Sequence, residues 1–90
     1  MDKYHISPQA VAELANQFTY HRPHGNQAER YEQLRSHGYL LAELILELTP
    51  PSPEQTIAVA TIREAIMWAN AAIACHEQPR TEVADHVTPR

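Results

Sequence analysis

Thr49-Pro50-Pro51-Ser52-Pro53 parts two long proline-free stretches, and no other feature constrains the fold as tightly. Before it, Leu34, Leu41 and Leu48 recur every seven residues, with His37, Gly38, Leu44 and Ile45 at intermediate positions. After it, "TIAVATIREAIMWANAAIAC" sets Ala58, Ile62, Ala65, Ala69, Ala72 and Cys75/His76 on one stripe, with Ile57, Thr61, Trp68 and Ala71 beside it. These are helical spacings. Pro50 and Pro51 end the first helix. Ser52-Pro53-Glu54-Gln55 opens the second with an N-cap, a proline at the first helical position and the form of a capping box. At about 1.5 Å per residue each helix is about 35 Å long. So short a turn predicts an antiparallel hairpin.

A third, shorter helix precedes the hairpin. Ser7-Pro8 has the form of a cap, and Val11, Leu14, Ala15 and Phe18 fall on one face. Pro23 and Gly25 mark a loop. Asn26-Gln27-Ala28-Glu29 then reads as a capping box, with Asn26 as cap and Glu29 reaching back. The expected organisation is all-α: a single helical-hairpin domain over 1–76, with helices near 8–18, 27–48 and 53–76. Residues 77–90, "EQPRTEVADHVTPR", are polar and aperiodic and read as a mobile tail.

A lone hairpin encloses no core. Apolar residues run around most of the last helix, so a compact helical homo-oligomer is expected. Ninety residues also leave a small stability margin that assembly would raise. The longest apolar runs fall short of about 20 residues, so no membrane span is expected, and "MDKYHISPQ" has no apolar signal region. One cysteine, Cys75, forms no internal disulfide and fits a reducing cytoplasm. The net charge of -4 argues against binding duplex nucleic acid.

Within this acidic chain, "FTYHRPHGNQAERYEQLRSHG" (18–38) gathers rings and cations. Tyr31, Arg35 and Tyr39 are spaced by four along one helical stripe. Tyr20, His21 and Arg22 lie in the loop, and Arg30 sits near the helix start, where free N–H groups attract anions. Rings stack on bases and arginine forks hold phosphates, so the cluster suits a nucleotide. The same residues would also serve as interface packing, with Arg35 paired to Glu32 or Glu43.

Other chemistries find less support. His21 and His24 give H-x-x-H, yet no cysteine pair or nearby carboxylate completes a metal site. Glu29 and Glu32, with Glu43 and Glu47, could suggest a magnesium-dependent nucleotide pyrophosphohydrolase, but Glu54 and Glu64 give the facing helix no matching pair. Cys75 and His76 are adjacent on a helix and point about 100° apart, a poor catalytic dyad. No cofactor and no enzymatic activity are expected. A helical oligomerisation module without a small ligand is the remaining alternative.

The blocks Phe18-Thr19-Tyr20-His21 through Arg35 and Ala65 through Ala74 resemble the small helical-hairpin anti-CBASS proteins of phages, a hairpin shared with some anti-Thoeris proteins. The resemblance implies a sponge, acting in the cytoplasm of the infected bacterium. Such a sponge binds cyclic oligonucleotide messengers, cyclic dinucleotides such as cGAMP among them, without cleaving them. It also implies a homohexamer with ligands between subunits. By that resemblance Tyr20 stacks on bases and Arg35 meets a phosphate, with His21, Arg22, Arg30, Tyr31 and Tyr39 as neighbours. A cyclic trinucleotide site would use His37 and the Cys75-His76 end, where many relatives carry arginine. His24 stands where relatives often have lysine, and Gly38-Tyr39 where Ala-Lys is more typical.

Overall fold

The computed structural model describes residues 3–77. Among them are three helices and no strand: α1 (Pro8–Gln17), α2 (Gln27–Leu48) and α3 (Pro53–His76). The expected tail lies outside the described residues except for Glu77.

Two of the three helix starts follow the sequence closely. Ser7 Oγ accepts from Ala10 N–H at 3.1 Å, and Ser52 Oγ from Gln55 N–H at 3.1 Å, each ahead of an N1 proline. The second half of the expected capping box does not form: Gln55 turns its amide not to Ser52 but back to the Thr49 carbonyl and hydroxyl, both at 3.0 Å, and so braces the turn.

The start of α2 departs from the expected capping box. Asn26 has φ -94° and ψ 16°, outside the extended region of a capping residue, and its side chain caps no helical N–H. Asn26 Oδ1 instead accepts from Arg30 Nε at 3.0 Å. Gln27 does the organising. Its Oε1 accepts from His24 N–H at 3.1 Å and its Nε2 donates to the Glu77 carbonyl at 2.8 Å. With both ends of the amide satisfied, Gln27 can be the most buried polar side chain, at 3% exposure. Gly25, at φ 56°, makes the left-handed turn that feeds this helix.

Contacts between α2 and α3 pair in reverse order along the chain. Arg30 meets Glu77, Gly38 faces Ile62 and Ile66, and Thr49 meets Gln55. The half-buried or buried positions on α2 are Gln27, Arg30, Tyr31, Leu34, Gly38, Ala42 and Ile45; apart from Arg30 they are separated by steps of three or four and follow one helical stripe. Leu41 and Leu48, expected in the heptad, are outside it at 49% and 73% exposure. The α3 stripe is also rotated: Ala58, Ile62 and Ala69 are half-buried with Ile66, Asn70 and Ile73, whereas Ala65 and Ala72 are exposed. A strict seven-residue step drifts by about 20° per heptad on a straight helix, which carries the later leucines off the seam.

Among the described residues no hydrophobic side chain is fully buried. The apolar face of α1 is uncovered, with Val11, Leu14 and Phe18 exposed, and so are Ile57, Met67 and Trp68 of α3. The apolar length of α3 bears on one expectation. α3 has an 18-residue window of mean hydropathy 1.3 and is long and apolar enough to cross a membrane by length and composition. The sequence reading sought an unbroken apolar run, and Thr61, Arg63, Glu64 and Asn70 interrupt one without lowering the average far. A charged residue at a span's centre costs about 2.5–3.5 kcal/mol on insertion, and Arg63 and Glu64 lie near the middle of α3.

Candidate functional site

The loop after α1 is held against the end of α3. Asn16 Nδ2 donates to the Cys75 carbonyl at 3.0 Å, and the His21 ring bonds the Asn16 carbonyl through Nε2 at 2.8 Å. Tyr20 lies between these two anchoring residues, directly before His21, so its backbone is held while 81% of its surface is exposed.

That placement brings four of the sequence candidates together. Tyr20, His21, Tyr31 and Arg35 line one open pocket of about 330 Å³ with Pro23 and, from α3, Asn70, Ala71 and Ala74. The four-residue spacing of Tyr31 and Arg35 stacks them on one face of α2. The alanines opposite leave the room. Arg35 Nη1 donates to Glu32 Oε2 at 3.0 Å, an exposed pair. Exposed pairs of this kind contribute about 0–1 kcal/mol, so a phosphate can replace the carboxylate at little cost.

The other candidates lie elsewhere. Arg22 is exposed and is not part of this pocket's wall. Tyr39 is 65% exposed and borders a larger apolar cavity of about 570 Å³, where Arg35, Gly38, Ile62, Ile66, Met67 and Asn70 also contribute. Arg30 belongs to neither. It forks onto the Glu77 carboxylate through both terminal nitrogens and lines a separate pocket of about 350 Å³ with Gln33, Leu34, His37 and Ile73. His37 is thus joined by Arg30, while Cys75, half-buried, and His76, exposed, lie off that wall.

The hydrogen bond from Arg30 holds the Glu77 carboxyl below the usual carboxylate value, and the same bond raises the guanidinium's own. His24 and Gln27 bond the Glu77 carbonyl as well. The end of α3 is therefore clasped by three residues from the start of α2 and its loop. Among the described residues no group of three His, Cys, Asp or Glu side chains converges to hold a metal.

Asn70 was not singled out by sequence. Its Oδ1 is buried and has no hydrogen-bond partner among the described residues. A buried acceptor left so costs about 1–3 kcal/mol. One polar amide in "MWANAAIAC" was the available signal.

The family described as Acb2/Tad1, hairpin domain, matches residues 11–74. The chain belongs to this family. The match runs from the apolar face of α1 to Ala74 and so includes every residue of the Tyr20–Arg35 pocket. Neither curated proteins nor solved structures gave a match. The Acb2/Tad1 family is one of sponge-type binding domains directed against antiphage defence, and the pocket lies wholly inside the matched residues.

Proposed function

We propose that the chain is a phage-encoded sponge that sequesters cyclic oligonucleotide messengers in the cytoplasm of the infected bacterium and releases them uncleaved. The observation that carries this reading is the meeting of Tyr20, Tyr31 and Arg35 in one pocket. Tyrosine faces offer stacking to bases, at about 1–3 kcal/mol per base, and the planar guanidinium offers a fork to a phosphate. Family membership in the Acb2/Tad1 hairpin supports the same reading. Cyclic dinucleotides such as cGAMP, with two bases and two phosphates, suit a pocket completed by a second copy across a twofold axis.

In this reading the antiparallel hairpins assemble as a homohexamer. The bare apolar faces of α1 and α3 and the absence of a fully buried hydrophobic residue among those described support self-association. A cyclic trinucleotide would occupy the pocket of His37, with Arg30 as its cation once Glu77 is displaced.

Calorimetric titration with a panel of cyclic di- and trinucleotides, followed by chromatography of the released ligand, tests the proposal. Binding tighter than about 10 μM, near -7 kcal/mol, with the ligand recovered intact, is expected. Absence of binding across the panel overturns it, and recovery of a linear product makes the protein an enzyme.

A further inference from the structure

We propose that the Asn70 carboxamide reads the base of the bound ligand and favours adenine. This rests on the cyclic-nucleotide reading above and adds base preference to it.

Asn70 and Arg35 are the two residues that border both the Tyr20–Tyr31 pocket and the larger apolar cavity. With a phosphate on Arg35 and a base on a tyrosine ring, Asn70 lies on the wall of the same pocket as that base. Among the described residues the fold gives the oxygen of this amide no hydrogen bond. Asn16, Asn26, Gln27 and Gln55 all spend their side chains on hydrogen bonds that fix a turn or a helix end. Asn70 Oδ1 has no partner among the described residues. Turning the carboxamide into the pocket sacrifices no hydrogen bond at Oδ1.

An orphaned acceptor selects for an N–H donor. Phosphate oxygens only accept. Adenine carries its 6-amino group between two ring acceptors, so either free edge presents a donor beside an acceptor. That pattern matches a carboxamide, which pairs with adenine through two hydrogen bonds. Guanine offers only acceptors, N7 and O6, on its corresponding edge. Adenine satisfies Asn70 whichever edge faces it, and guanine on one edge alone.

The test titrates the full-length chain with cyclic di-AMP, cyclic di-GMP and the cyclic di-AMP analogue in which hydrogen replaces each 6-amino group. The expected order places cyclic di-AMP about tenfold tighter than the other two, a gap of about 1.4 kcal/mol. In Asn70→Leu that gap narrows to about threefold or less, while the melting temperature holds or rises because a buried orphan is removed. A drop in melting temperature with the gap intact makes Asn70 a structural residue and overturns the inference. If Asn70→Leu does not assemble, the wild-type chain still decides: an analogue bound as tightly as cyclic di-AMP overturns it. A wild-type chain that binds no cyclic dinucleotide overturns the sponge reading and this inference together, whereas binding without base preference overturns this inference alone.

Discussion

A Cβ atom added to Gly38 would stand 2.7 Å from Ile66 Cγ1 and 3.0 Å from its Cδ1. The glycine is what lets α2 and α3 meet at mid-length. It also accounts for a glycine inside a helix, where it costs about 1 kcal/mol relative to alanine. The close approach is to the chain's own α3. Gly38→Ala gains that propensity but overpacks the seam, at about 1–3 kcal/mol. The net expectation is a destabilisation of about 1 kcal/mol in urea unfolding. Ile66→Ala should relieve it: a double-mutant cycle should show the pair coupled by more than about 0.5 kcal/mol. Additive effects would mean that Gly38 and Ile66 do not limit the approach.

Glu77 closes the open end of the hairpin. Because Arg30 lowers its carboxyl below the usual value, the clasp contributes stability above that value and loses it as pH falls through the lowered one. Glu77→Gln should therefore melt lower than the wild-type chain near pH 7. The difference should close only once the pH has fallen through that lowered value, where both side chains are neutral. A melting difference independent of pH would mean that the carboxylate charge is not what Arg30 recognises.

Ser7-Pro8, Ser52-Pro53 and the proline turn were legible because each acts through its own few backbone atoms. The loop before α2 was not. Asn26 carries the residue type of a cap, but Gln27 and Glu77, fifty positions apart, meet only after the hairpin closes. Leu41 and Leu48 misled for a related reason: a monomer's seam covers one stripe, and a leucine off that stripe is apolar for some other contact. At the site, Tyr31 and Arg35 followed from helical spacing. Asn70 did not, since only the tertiary approach of α3 sets it beside Arg35.

Those exposed leucines bear on assembly. With Phe18, Met67 and Trp68 more than half exposed, the described hairpin has little interior of its own. If self-association supplies the missing burial, the melting temperature rises with protein concentration. Trp68→Glu would then put a charge on the bare face of α3 and shift light scattering toward smaller species. A melting temperature independent of concentration from about 1 to 100 μM would show that the chain is stable alone and remove the hexamer.

Arg35 and Glu32 set the sharpest test of the ligand pocket. Their exposed ion pair must open before a phosphate can take the guanidinium, so Glu32→Gln should tighten cyclic dinucleotide binding by about twofold to fivefold, the exposed pair being worth about 0–1 kcal/mol. Arg35→Ala should weaken binding, and the loss should shrink between about 50 and 500 mM salt as the Debye length contracts. Tyr20→Ala removes a stacking face and should cost about 1–3 kcal/mol at either salt concentration. Three signs are thus fixed in advance: a gain for Glu32, a salt-dependent loss for Arg35 and a salt-independent loss for Tyr20. Calorimetry at two ionic strengths reads all three. Weaker binding in Glu32→Gln would show that the carboxylate helps hold the ligand, and that Arg35 is not the phosphate's partner.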